Sequence, residues 1–253
     1  MKFLTNFPAV FIKEIESLVI SDLHIGLEHE LFSKGVTIPA QSDKFSKILK
    51  KLISLTESKN LIIVGDVKYK VAGISKREIK EIPKFLSSIS EYSKVIITKG
   101  NHDAGLEEIV PKNVEVYSSR GFKIKKFGFF HGHAWPSKSL MRCDYLFMGH
   151  LQPSIELKDK FGYFFREQVW LVGKLNQKMI KGKYKINKTG NLKIIVIPSF
   201  NRLSGSLAVN KLSKKDLIGP FFKEKILDLD KMKVYLLDGT YLGRVKDLKN
   251  IDY

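Results

Sequence analysis

Polar side chains of the kinds that bind metal ions follow five apolar strands of the sequence, where each strand gives way to a loop. They belong to five short motifs: Asp22-Leu23-His24, Gly65-Asp66, Gly100-Asn101-His102-Asp103, His131-Gly132-His133 and Gly149-His150. Ligands of open α/β sheets bind outside the carboxyl ends of the strands. Carboxylates, imidazoles and an amide delivered to one such edge predict a metal site.

The donor set indicates the metal and its chemistry. Mixed Asp, His and Asn ligation without a thiolate disfavours a structural zinc site and suits Mn, Fe or catalytic Zn. A two-metal hydrolase needs a bridging carboxylate, ligands for each ion and an open position for water. Asp22 and His24 are spaced to bind one ion, and Asp66 is placed to bridge. His102 is free to protonate a leaving oxygen, and we expect Asp103 to hold its ring in the correct tautomer.

The elements that must position these residues alternate in the first half of the chain. Strands ending near Asp22, Asp66 and Gly100 are separated by helical patterns over residues 41–58 and 75–92, the second interrupted at Pro83. This βαβαβ order predicts a parallel sheet covered by helices.

Short strands and turns replace that alternation from residue 113 onward, beginning with a strand at 114–116. They predict a second, mostly antiparallel sheet packed on the first, with helices outside both. Because no linker-like segment interrupts the sequence, we expect one domain over 1–253, with segment 201–253 packed on it.

Composition narrows the possible partners and the compartment. The net charge of +18 would attract polyanions such as nucleic acid. Only six of the 44 cations are arginines, however, and a lysine excess is equally typical of an AT-rich genome or a heat-loving host. The single cysteine, Cys143, allows no internal disulfide and favours a reducing cytoplasm. No apolar run approaches the roughly 20 residues of a membrane span, so we expect no membrane partner.

The ordered motifs resemble those of the calcineurin-like metallophosphoesterase superfamily, and five of them in the correct order make chance agreement remote. The resemblance covers nearly the whole chain and extends to an archaeal and bacterial branch whose bacterial members accompany a DNA ligase and a helicase. The segments that carry it are residues 21–28, 35–41, 131–136, 169–171, 197–201 and 237–243.

The resemblance implies a four-layer α-β-β-α sandwich of two packed mixed sheets with helices outside. It also implies two divalent ions, Mn by expectation, with Fe or Zn as alternatives. One ion would be held by Asp22, His24 and Asp66, and the other by Asp66, Asn101, His131 and His150.

Two departures from the family pattern affect these assignments. The superfamily's usual Gly-His-x-His is here Gly149-His150-Leu151-Gln152, so we expect the amide oxygen of Gln152 to replace an imidazole and the first ion to bind less tightly. The branch usually has Gly-Asp-x-Lys-His, whereas Tyr69 ends the motif here and is expected to hydrogen-bond a phosphate oxygen. We expect His133 to support a metal ligand or contact the substrate.

The expected function is that of a phosphodiesterase or nuclease in which a hydroxide bridging two ions attacks phosphorus in line. DNA or RNA is the expected substrate class because of the positive charge and the DNA-repair context of relatives. Two alternatives stay open: a small-molecule phosphatase or cyclic-nucleotide phosphodiesterase, and a non-catalytic binding protein on the same fold. The oligomeric state does not follow from the sequence.

Overall fold

The first 117 residues form one sheet and the helices that cover it. The computed structural model describes residues 1–213 and 215–249. The elements of this part are β1 (Lys2–Phe3), β2 (Val10–Ile12), β3 (Ser17–Ile20), α1 (Leu27–Ser33), α2 (Gln41–Thr56), β4 (Asn60–Val64), α3 (Lys76–Ser90), β5 (Lys94–Thr98) and β6 (Glu115–Tyr117). Short 3-10 helices cover Lys13–Ile15 and Leu106–Glu108.

The strands of the first sheet lie in the order β1-β2-β3-β4-β5-β6. Strands β3 to β6 are parallel, whereas β1 and β2 add an antiparallel hairpin at one edge. The predicted assignment of residues 114–116 to the second sheet is wrong, because Val116 pairs with Ile97 of β5. A strand of three residues has too little side-chain pattern to indicate which sheet it joins.

Helix α3 continues through Pro83, where the sequence predicts an interruption. Proline removes the hydrogen bond to the carbonyl four residues earlier, here that of Ile79. Because Ile79 is half exposed, that carbonyl lies on the side of the helix that water reaches. The helix begins with a capping box in which Ser75 and Glu78 satisfy each other's backbone N–H groups.

The second sheet is built from the rest of the chain; it is mixed, and most of the strand pairings among its described residues are antiparallel, as predicted. Its elements are β7 (Phe122–Ile124), β8 (Phe127–Phe130), β9 (Tyr145–Met148), β10 (Pro153–Lys158), β11 (Phe164–Lys174), α4 (Gln177–Tyr184), β12 (Lys193–Val196), β13 (Leu207–Ala208), α5 (Pro220–Lys223), β14 (Lys233–Leu236), β15 (Tyr241–Arg244) and α6 (Val245–Leu248), with 3-10 helices at Lys138–Arg142 and Leu229–Lys231. The order is β13-β10-β11-β12-β9-β8-β7, and β14 joins β11 to β15. Strand β9 runs parallel to both β8 and β12.

Three apolar clusters separate four layers and confirm the α-β-β-α sandwich. Side chains of α2 and α3, such as Leu49 and Leu86, pack on the outer face of the first sheet. Val19, Phe129 and Trp170 belong to the cluster between the two sheets. On the outer face of the second sheet, a third cluster includes the short helices α4, α5 and α6.

The carboxyl-terminal segment contributes to this outer cluster through Phe221, Phe222 and Leu248. Among the described residues, no helix has both the length and the apolar character needed to cross a bilayer.

The parallel strands β3, β4, β5, β8 and β9 all end at the same edge of the sandwich, where the polar motifs follow them.

Candidate metal centre

The loops after the two sheets meet across a short distance at this edge. The Nε2 atom of His131, which follows β8, lies 3.1 Å from Oδ2 of Asp66, which follows β4. The other ring nitrogen of His131 donates a hydrogen bond of 2.8 Å to the carbonyl of Val64. Motifs separated by more than sixty residues in the sequence are thus joined in one buried site.

The carboxylate of Asp66 stands at the centre of this site. Its Oδ2 atom lies 3.7 Å from Nε2 of His24 and 3.9 Å from Nε2 of His102, in addition to His131. Two groups of potential metal ligands share Asp66, one with His24 and His102 and one with His131 and His150, and the ligand atoms in each group lie within 4.8 Å of one another. A single carboxylate common to two groups is the arrangement that a two-ion centre requires.

Two atoms of the predicted ligands are buried without a hydrogen-bond partner. They are Oδ1 of Asn101 and Nε2 of His131. Because Nδ1 of His131 donates to a carbonyl, a neutral His131 turns the lone pair of Nε2 toward the Asp66 carboxylate. Two electron-rich atoms face each other there, and a cation or proton between them would remove the repulsion. The residues therefore fit a divalent metal ion.

The side chains of Asp22 and Gln152 complete the part of the site nearest His24. Asp22 is fully buried and accepts a 2.5 Å hydrogen bond from the Ser21 hydroxyl. The amide nitrogen of Gln152 donates to Nε2 of His24 at 2.8 Å and to Asp22 at 3.3 Å, and its amide oxygen accepts from Ser204 at 2.9 Å. Gln152 thus reaches the expected position but presents nitrogen. Rotation of the side-chain amide by a half-turn would direct its oxygen toward His24. Its nitrogen would then donate to the Ser204 hydroxyl.

The structure differs from the sequence analysis in the contacts of Asp103. Its carboxylate accepts hydrogen bonds from the backbone N–H groups of Val67, Lys68 and Gly100, at 2.9, 3.2 and 2.8 Å, rather than from the His102 ring. The Nδ1 atom of His102 instead contacts the backbone carbonyl of Tyr69. A carbonyl only accepts, so this contact fixes the proton of a neutral His102 on Nδ1.

Two buried charged residues support the loop that supplies this carbonyl. The ammonium of Lys68 donates to the carbonyls of Lys70 and Gly73, the latter at 2.9 Å. The carboxylate of Glu78 accepts from the backbone N–H groups of Tyr69 and Lys70 at 3.1 and 2.9 Å. Lys68 and Glu78 thereby fix the loop that ends beside His102.

Tyr69 and His133 lie at the borders of the site. The ring of Tyr69 is centred 6.1 Å from that of His24 and 6.0 Å from that of His102. The ring of His133 is 5.4 Å from that of His131 and 5.9 Å from that of His150, and its buried Nδ1 lacks a hydrogen-bond partner. Both positions are compatible with contact to a substrate.

Burial and mutual charge shift the pKa values of the site in opposite directions. Burial lowers the pKa of His24 and of His133 to about 4 and that of His150 to about 3. Burial would also lower the pKa of His131, but the Asp66 carboxylate outweighs it and raises that pKa to about 10. Neutral imidazoles are the form that binds metal, and His131 shows how strongly the site attracts positive charge.

The two central carboxylates are also perturbed. Burial, with the charge of Asp66, raises the pKa of Asp22 to about 7. Burial favours the neutral form of Asp66 too, but the charges of His131 and His24 outweigh it and hold its pKa below the usual range. Asp66 is thus the carboxylate that stays ionised and able to bridge.

Backbone strain is concentrated at the same place. Five non-glycine residues of the site have positive φ angles between 45° and 66°, namely Asp22, His24, Asp66, His150 and Gln152. Left-handed conformations cost free energy for residues with a side chain and persist where the surrounding structure enforces them, commonly at functional sites.

Two residues to which the sequence analysis gave no role help to hold the strained backbone around Asp22. The hydroxyl of Ser199 donates to the carbonyl of Asp22 at 2.8 Å, and the amide of Asn201 donates to the carbonyl of Leu23 at 3.0 Å. Ser199 and Asn201 follow the apolar strand β12, as the recognised motifs follow their strands. The same strand-end criterion could therefore have found them.

Comparison with known proteins agrees with this architecture. The family model described as calcineurin-like phosphoesterase matches residues 16–217. The crystal structure of the nuclease MPE from Pseudomonas putida is similar at 15% identity, with a TM-score of 0.59, over 93% of this chain and 92% of that one. Yfce, a phosphoesterase from E. coli, aligns at 14% identity with a TM-score of 0.42, over 90% and 97% of the two chains. No curated protein gives a significant sequence match.

Proposed function

The chain belongs to the calcineurin-like phosphoesterase family, and from this premise we propose that it hydrolyses phosphodiesters with two divalent metal ions. The more general assignment, a metal-dependent phosphoesterase without a stated substrate or number of ions, follows from the family and the ligand set. The observation that carries the two-ion proposal is the position of Asp66. Its Oδ2 lies within 4 Å of three imidazoles, and it belongs to two ligand groups at once.

We divide the residues between the two ions as the family resemblance implies. Asp22, His24, Asp66 and Gln152 would hold the first ion, and Asp66, Asn101, His131 and His150 the second. We propose Mn, with Fe or Zn as alternatives, because the donors are nitrogen and oxygen atoms without sulfur. When bound, such ions polarise a phosphoryl group and lower the pKa of water.

His102 supplies the proton in this proposal. Its Nδ1 is engaged by the Tyr69 carbonyl, so Nε2 is the nitrogen that faces the site, 3.9 Å from Asp66. A protonated Nε2 is placed to donate to the oxygen that leaves phosphorus. Lys68 and Glu78 act on this step only through the loop that carries Tyr69.

Nucleic acid is the proposed substrate class, and the compartment we propose is the cytoplasm. The net charge of +18 supports a polyanionic substrate, and the single cysteine supports a reducing compartment. The P. putida structure is named a nuclease, but at 15% identity its likeness concerns the fold. The nuclease assignment for this chain therefore depends on charge and on direct measurement.

The decisive experiment compares bis-p-nitrophenyl phosphate, a diester, with p-nitrophenyl phosphate, a monoester, on protein of measured metal content. We expect Mn²⁺-dependent hydrolysis that favours the diester. Asp66→Asn should lose at least one bound ion and nearly all activity, since the bridging charge is removed. The control Asp43→Asn changes an exposed carboxylate of α2 that pairs with Lys84 at 3.5 Å and should behave as wild type. An Asp66→Asn protein with full activity would refute the two-ion assignment, and preference for the monoester would refute the diesterase.

A further inference from the structure

An unusual group of exposed aromatic side chains lies at the tip of the hairpin formed by β10 and β11. Phe161, Tyr163 and Phe164 are 75%, 73% and 62% exposed, and Phe165 is 44% exposed. Single exposed apolar residues need no explanation, but four within five positions form a patch of the kind that marks a binding surface. We call residues 158–165 the aromatic tip.

Positive charge accompanies these rings. The ammonium of Lys158 lies 5.4 Å from the centre of the Phe164 ring, and that of Lys160 lies 5.1 Å from the centre of the Phe161 ring. The turn itself is ordered, because the Asp159 carboxylate accepts hydrogen bonds from the N–H groups of Phe161 and Tyr163 at 2.8 and 2.9 Å. Rings and cations are therefore presented together by a defined turn.

The hairpin leads from the candidate metal centre to this tip. Strand β10 begins directly after Gln152, and β11 extends beyond the level at which β12 ends, since Val196 pairs with Leu171. At a strand rise of about 3.4 Å per residue, Phe164 lies roughly 24 Å beyond Leu171, which is level with the end of β12. The tip thus projects on the side of the sandwich where the metal ligands lie.

One face of β11 connects the two places. Residues 164, 166, 168 and 170 share a face, because side chains alternate along a strand. Trp170 packs between the sheets, and Gln168 donates to the carbonyl of Ser199 at 2.8 Å. Arg166 lines a depression with Arg202, and its guanidinium donates to the Glu156 carboxylate at 3.0 Å. The face therefore runs from the site past Arg202 and the Arg166–Glu156 ion pair to Phe164.

We propose that the aromatic tip binds the bases of single-stranded nucleic acid whose backbone continues toward the metal centre. Exposed rings stack on bases of any sequence, and neighbouring cations contact the phosphates. A duplex hides the faces of its bases inside the stack, so a single strand is the form the tip can engage. This inference rests on the proposed nuclease function and names the form of its substrate.

The experiment measures binding and hydrolysis in the full chain with the double variant Phe161→Ser/Phe164→Ser. Binding of a fluorescein-labelled oligothymidylate of about 15 nucleotides is followed by anisotropy in chelator, and should weaken at least about tenfold. Hydrolysis of bis-p-nitrophenyl phosphate with Mn²⁺ should stay within about twofold of wild type, because that substrate is too short to reach the tip. The matched control is Tyr92→Ser. Tyr92 has an exposed ring whose centre is 4.8 Å from the Lys50 ammonium. It lies just before β5, at the edge of the first sheet opposite to the metal ligands.

Salt dependence separates the rings from the cations. Lys158→Ala and Lys160→Ala should each reduce the slope of log K against log salt by about 0.7 for a lost phosphate contact, whereas the serine variants should leave the slope unchanged. Equal oligonucleotide binding by wild type and the double variant would overturn the inference. A double variant that loses binding to anionic lipid vesicles but keeps its binding to the oligonucleotide would also overturn it. A metal-loaded wild type that binds the oligonucleotide but hydrolyses no phosphodiester would refute the proposed function and leave binding at the tip supported.

Discussion

Gly100→Ala should displace the carboxylate on which the candidate metal centre depends. A Cβ atom at position 100 would lie 2.0 Å from Oδ1 of Asp66 and 2.4 Å from its backbone nitrogen, whereas real Cβ contacts essentially never fall below 3.0 Å. The carboxylate must therefore move by about 1 Å, and a shift of that size in a catalytic group costs on the order of a hundredfold in rate. Overpacking of this kind also destabilises a fold by about 1–3 kcal/mol.

The assay combines metal content, hydrolysis of bis-p-nitrophenyl phosphate and thermal unfolding. We expect at least about a hundredfold lower rate and a midpoint lowered by a few degrees, at about 2–4 °C per kcal/mol for a chain of this size. Gly182→Ala is the matched control: it makes the same change in α4, where nothing lies within 4 Å of the added atom. It should leave metal and activity unchanged and stabilise the helix by about 0.5–1 kcal/mol. A Gly100→Ala protein with wild-type metal content and rate would refute the central position of Asp66.

His102→Ala should slow hydrolysis of a nucleotide or alkyl diester by about a hundredfold or more while affecting an activated aryl ester little, because nitrophenolate leaves without a proton. Equal losses on both substrates, or loss of metal, would make His102 a ligand instead. Gln152→His should lower the Mn²⁺ concentration needed for half-maximal activity, since imidazole is a better donor than an amide oxygen; an unchanged metal titration would contradict this. Cys143 is buried, and burial raises the pKa of its thiol to about 11, so it should react with Ellman's reagent at pH 8 only after unfolding. Rapid reaction of the folded protein would contradict that.

The strand-end pattern was sufficient to predict which side chains come together. Asp66, His131 and His150 follow apolar strands, and the sheets bring those strand ends to one edge. The hydrophobic period that builds a strand also fixes where its polar successor lies, so this part of the site can be read from sequence.

Contacts that depend on loop conformation were not predictable in the same way. Asp103 is adjacent to His102 in sequence, yet the turn directs its carboxylate to backbone N–H groups. The group that contacts the His102 ring is a backbone carbonyl, and a carbonyl has no signature in the sequence. The strand-end pattern also does not indicate which atom of the Gln152 amide faces His24, and in the structure it is the nitrogen.

The hydrogen bond from Ser199 to Asp22 has a consequence for the order of folding. The partners are 177 residues apart, and the backbone N–H of His150 reaches Asp22 over 128 residues. Contacts of such separation form late, because the chain must first pay the entropy of closing long loops. A nascent chain that has completed only the first sheet already contains Asp22, His24, Asp66 and Asn101, but it lacks the hydrogen bonds that Ser199 and His150 make to Asp22. Ions that bind only the finished site add their binding free energy to the finished fold, so metal uptake would mark the end of folding and oppose its reversal.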